Sequence, residues 1–150
     1  MNHQCVIEAP ASFREQLTMK LNVELYDTSG QNPVDIIQRG QAYKVIVDVE
    51  LGANIKRLLC GKWCVCVSAE SIGPGGEPRV CTKIPMDNCN PKADRAIIDL
   101  PSTWFEQDQQ IEGCGTVYEL VVTVAAYDKC EKPLPIGLVG FCKLGPVAVY

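Results

Sequence analysis

Histidine is almost missing from this sequence: there is one, His3, in 150 residues. Ser-His-Asp and Cys-His catalysis need an imidazole held by packing beside the nucleophile. A residue so near a terminus is expected to fray, so no triad of that kind is expected. No apolar run approaches the roughly 18 residues of a membrane-spanning helix. A basic start followed by an apolar stretch is also missing, which argues against a signal peptide. The Asn-x-Ser/Thr sequon never occurs; Asn22, Asn54 and Asn88 all miss it. A cytoplasmic location, with no membrane partner, is the resulting expectation. Basic clusters are sparse as well. Net charge is −4, and Lys56-Arg57 with Lys62 is the nearest approach to a patch. A phosphate backbone calls for a basic stripe, so nucleic acid is not an expected partner. Low-complexity tracts, like-charge runs and internal repeats are absent, and an ordered chain is expected.

What is present fits one globular domain. Hydrophobic residues make up 47% and charged residues 21%. A chain of this length buries roughly 68–70% of its unfolded surface, enough for a core without metal or disulfide. Nine cysteines are many. Their number is odd and no export signal accompanies them, so reduced thiols packed as small hydrophobes are expected first.

Period-2 alternation dominates, and it is the signature of half-buried strands. Leu21, Val23 and Leu25 share one face of residues 20–26. Tyr43, Val45, Val47, Val49 and Leu51 share one face of 43–51, with Lys44, Ile46, Asp48 and Glu50 on the other. Trp63, Val65, Val67 and Ala69 line up over 62–70. Further strands are predicted at 79–84, 96–100, 116–127, 138–142 and 147–150, with a short extra one at 34–37. Gly73-Pro74-Gly75-Gly76 suits a hairpin turn that needs positive φ. A phosphate loop would continue with Lys-Ser/Thr and a helix, whereas Glu77-Pro78 and a strand follow here. Pro146 predicts an edge strand or a bulge. Helical signals are confined to Pro10–Thr18, with Ser12 as N-cap and Glu15 at capping-box spacing, and to Pro101–Glu106.

These strands predict an all-β fold: an antiparallel two-sheet sandwich of about seven to eight strands. A closed barrel is the alternative. Residues 1–19 are an N-terminal arm carrying a short helix, and 20–150 form the sandwich. Trp63 on the third strand and Tyr118-x-Leu120-x-Val122 on the penultimate one resemble the core positions of immunoglobulin-like and fibronectin-III-like domains. The likeness spans residues 20–150. It does not extend to the core disulfide of immunoglobulin domains, since 43–51 and 116–127 contain no cysteine.

Few residues carry chemistry. Asp48 and Glu50 share a strand face, as a polar outer face would arrange anyway. Cys64 and Cys66, two apart on an extended strand, have Cβ atoms about 7 Å apart. A disulfide needs about 3.5–4.5 Å, so these two should not bond. With Cys60 they make a poor zinc spacing, and no metal or cofactor is expected. Cross-strand pairs suit bonding better. A turn near Gly73-Pro74 sets Cys66 against Cys81, and Cys130 and Cys142 flank the last hairpin; one of these pairs is expected to link under oxidising conditions. Asp87–Asp94 collects oxygen ligands, but a cysteine and no glycine sit where a calcium loop needs the reverse. Adjacent on one short turn, Trp104 and Phe105 are not expected both to face the core. One left exposed would anchor a protein partner, and the alternative is that they plug one end of the sandwich.

The resulting expectation is a non-enzymatic protein-interaction or structural module, presenting loops or an edge strand to a protein partner or to itself. A small-ligand, glycan or metal-binding module is the alternative, with loops 73–78, 86–94 and 102–110 as candidate sites. An enzyme comes third.

Overall fold

The computed structural model describes residues 3–8, 19–31, 33–52, 55, 59–72, 77–87, 93–105, 116–128, 130, 132 and 138–149. Among them nine strands form two sheets. They are β1 (His3–Glu8), β2 (Met19–Asp27), β3 (Ile36–Ile37), β4 (Tyr43–Leu51), β5 (Lys62–Ser71), β6 (Arg79–Pro85), β7 (Asp94–Leu100), β8 (Thr116–Tyr127) and β9 (Val139–Val149). The smaller sheet runs β2-β4-β7 and the larger β1-β9-β8-β5-β6. Pairing is antiparallel throughout, except that β3 lies parallel beside Ala148 and Val149 of β9. No described strand pair joins the two sheets, so they do not close into a barrel.

The alternation read from the sequence decides which side chains face inward. Val23 and Leu25 on β2, Val45, Val47 and Val49 on β4, and Ala96, Ile98 and Leu100 on β7 form the small sheet's buried face. Trp63, Val65, Val67 and Ala69 on β5 meet them from the other side, beside Tyr118, Leu120, Val122 and Val124 on β8. The approach is close. A Cβ on Gly140 of β9 would stand 2.6 Å from Cδ1 of Leu21 on β2, so the glycine admits the opposite sheet's side chain. Ile55 and Leu59, between β4 and β5, pack against the same core.

Four expectations change. The first concerns the N-terminal arm, which contains β1, paired over its six residues with β9 from His3↔Leu144 to Glu8↔Val139. His3 is therefore part of a ladder instead of a frayed end. The second concerns 138–142 and 147–150, which are one strand. It continues through a bulge where the β8 register shifts between Tyr118 and Leu120, with Gly145 (φ 134°) and the cis Gly145–Pro146 bond beside it. A bulge leaves a residue outside the ladder, and proline lacks the N–H that pairing would use. Third, residues 101–105 make a turn, with the Trp104 N–H donating to the Pro101 carbonyl at 2.9 Å. Fourth, nine strands stand where seven or eight were expected. The helix predicted at 10–18 and the turn at 73–76 lie outside the described residues.

Candidate interaction site

Two disulfides frame the larger sheet, which corrects the expectation of reduced thiols. Cys66 of β5 is bonded to Cys81 of β6, its direct cross-strand neighbour. Cys142 of β9 is bonded to Cys5 of β1, also its direct neighbour, and not to Cys130. The reason is register. β9 pairs with β1 on one side and with β8 on the other, where Val122 stands opposite Cys142. Cys130 lies beyond the end of β8 and is exposed. Cys64, two positions from Cys66 on the same strand face, takes no part in either bond, as its distance along an extended strand requires. Cys89 and Cys114 lie outside the described residues.

A stability consequence follows for the hairpin bond. Cys66–Cys81 closes a separation of 15 residues, for which the chain-entropy relation gives about 3 kcal/mol. Native hairpins retain some order when denatured, so a Cys66→Ala/Cys81→Ala variant is expected to lose about 2 kcal/mol. Urea unfolding of the two proteins at equal pH measures it, and an unchanged midpoint would contradict it.

The bond sits on the outer face of the larger sheet, at one end of a row that crosses five of its strands. Val6, Phe141, Thr123, Cys66 and Cys81 stand side by side from β1 to β6. None is charged. Val6 is 45% exposed and Phe141 half-buried. The adjoining row runs from Glu8 through Val139, Ala125 and Cys64 to Lys83, so a charged residue stands at each of its ends. Charge marks the border on the other side, where the Lys143 ammonium donates to a Glu119 carboxylate at 3.0 Å. That hydrogen bond is the main cause that holds the Lys143 pKa above its ordinary value.

The smaller sheet presents a different outer face. Arg95 on β7 donates through Nε and Nη2 to the two carboxylate oxygens of Asp48 on β4, at 2.7 and 2.9 Å. This fork raises the guanidinium pKa and ties β4 to β7 through Asp48. The Tyr26 hydroxyl donates to Glu24, which raises the phenol's pKa. Such a charge-laced face is the ordinary solvated surface of an antiparallel sheet.

Trp104 and Phe105 are both buried, so of the two readings the structure has the one in which they plug an end of the sandwich, although adjacent aromatics on one turn were not expected both to face the core. The alternation that separates neighbours on a strand does not hold in a turn, where the chain reverses between them. Their rings meet edge to face with centroids 4.8 Å apart, and Phe105 lies 5.4 Å from Tyr118. The pair plugs the β7–β8 end of the sandwich and offers no exposed ring to a partner.

Asp94, read as part of an oxygen-rich loop, is 6% exposed and turned inward. Its Oδ2 accepts from the Trp63 indole N–H at 2.8 Å, and its Oδ1 from the Asp87 backbone N–H at 3.1 Å. The bond to Trp63 joins β7 of one sheet to β5 of the other. Among the described residues no group of three or more His, Cys, Asp or Glu side chains is placed to hold a metal ion, and no helix is long and apolar enough to cross a membrane. Sequence reasoning missed β1, its bond to Cys142 and the Trp63–Asp94 contact. The signal for the first was the short apolar run Cys5-Val6-Ile7, whose two β-branched residues favour a strand. No protein-family profile, curated protein or solved structure matches this chain.

Proposed function

We propose that this chain is an immunoglobulin-like sandwich acting as a non-enzymatic protein-interaction or structural module in an oxidising compartment. The observation that carries the reading is the strand order. β2-β4-β7 corresponds to strands A, B and E of that fold, and β6-β5-β8-β9 to C′, C, F and G. The buried Trp63 then falls on strand C, where such domains keep a core tryptophan. Two disulfides favour an oxidising environment over the cytoplasm expected from the sequence. The uncharged row from Val6 to Cys81, with Val139 beside it, supplies the contact surface, since exposed apolar surface rimmed by charge marks interaction sites.

Two measurements test the reading. Protein taken from its native cell fraction, denatured and alkylated without reductant, is expected to carry at most five modified thiols: nine cysteines less the four bonded ones. Nine modified thiols would exclude an oxidised module. Immobilised protein is then expected to retain a partner from that fraction, and Val6→Glu/Val139→Glu to lose it. Both positions are exposed, at 45% and 36%, so the fold should tolerate the change. Equal retention by the variant would exclude this face.

A further inference from the structure

We propose that the β9 edge at residues 139–144 is a strand-acceptor site, that a second copy of this chain can fill it with its own β1, and that the Cys5–Cys142 bond decides which copy does so. β1 is the outermost strand of the larger sheet on this side and pairs with β9 alone. Of its described side chains, Ile7 alone reaches the core, and only partly; Cys5 and Val6 are exposed. Among its described side chains and pairings, the strand is held by its ladder, the half-buried Ile7 and the disulfide. On the other side of that disulfide Cys142 is fully buried.

Removing β1 would leave a ladder edge unpaired, and such an edge templates another strand. The occupant that fits this edge is the strand that fills it in the folded chain. β1 of a second copy brings the same register, the same Ile7 and a cysteine opposite Cys142, which is the condition for exchange of an identical element between protomers. Ten residues, 9–18, separate β1 from β2, and a chain of that length reaches at most roughly 33–36 Å when extended. That span allows β1 to reach an edge on a neighbouring molecule.

The switch is thiol–disulfide exchange with a dithiol reductant. One reductant thiolate attacks a sulfur of the bond, and the departing cysteine takes up a proton. The second reductant thiol then displaces the other cysteine, which is protonated in turn. Two electrons and two protons pass to the pair, and the reductant becomes a cyclic disulfide. The oxidised form of the same reagent reverses the step, now with Cys5 and Cys142 free to come from different copies.

Equal amounts of unlabelled and 15N-labelled protein are reduced with dithiothreitol at high concentration, reoxidised with its disulfide form and digested. The expected product is a mixed-isotope Cys5–Cys142 peptide, with the Cys66–Cys81 peptide remaining within one isotope. Hydrogen exchange on the reduced protein is expected to accelerate at 139–144 by about two orders of magnitude, the scale of constraint such a cross-link supplies, while β5 and β8 stay protected. Absence of the mixed Cys5–Cys142 peptide would overturn the proposal. So would unchanged exchange at 139–144, or mixing at Cys66–Cys81 as well, which would mean scrambling of unfolded chains. A Cys5→Ser variant, which needs no reductant, is expected to show Cys142 alkylated while its far-ultraviolet spectrum stays that of the folded protein.

Discussion

Replacing Gly61 with alanine is expected to cost about 3 kcal/mol or more, the upper part of the range for overpacking a tight site. Gly61 is buried at the start of β5, and Lys62 next to it pairs with Tyr127 of β8. A Cβ there would lie closer than 3.0 Å to the backbone carbonyl oxygen of Tyr127. That oxygen belongs to a ladder, so it cannot rotate away as a side chain would. The Gly61 carbonyl also accepts the Met86 N–H at 3.0 Å, which ties the same residue to the end of β6. The methyl group must push β5 from β8, or break one of these pairings. For a chain of this size the melting temperature should fall by roughly 6–12 °C. Differential scanning calorimetry of Gly61→Ala beside the wild type checks it. A Gly61→Ala melting temperature within a degree or so of the wild type would show that β5 yields where the packing says it cannot.

Asp94→Ala is expected to destabilise by about 2 kcal/mol, because the buried Trp63 indole loses its acceptor and the part-buried Asp87 N–H loses one too. The Trp63 indole N–H has no exposure to water, and the Asp87 backbone N–H is bonded to the other oxygen of the same carboxylate. Trp63→Phe removes one donor and leaves Oδ2 of Asp94 without that partner. The two substitutions share an interaction and should not add. A double-mutant cycle by urea unfolding is expected to give a coupling of about 1–3 kcal/mol. A coupling near zero would mean that the sheets are joined by packing alone. Asp94→Asn separates the possibilities further: its single side-chain oxygen serves one donor well, so its loss should fall between wild type and Asp94→Ala.

The strands were legible because the residues that form them alternate over long stretches. Tyr43–Leu51 and Asp94–Leu100 each bury every second side chain without exception, and that regularity needs no partner to be seen. The pairing of Cys66 with Cys81 was legible for a related reason: a hairpin fixes register locally, and the turn was marked by glycine and proline. Pro146 was read as an edge or a bulge, and it lies where the β8–β9 register shifts. Less was legible where contact joins distant segments. Cys5 and Cys142 are 137 residues apart, and no local pattern names a partner at that distance. Trp104 and Phe105 were placed on one short turn, and whether both rings reach the core depends on the distant Tyr118 that Phe105 meets.

The sequence by itself determined the class of fold and the inward face of each long strand, because both follow from the period of the backbone. Only the tertiary structure decided that β1 completes the larger sheet, that Asp94 turns inward to Trp63, and that Val6, Phe141 and Val139 share the outer face of that sheet. Each of these depends on which strands lie side by side. Neighbours in a sheet are set by the packing of the whole chain, a long-range balance of buried area against chain entropy that no short window contains.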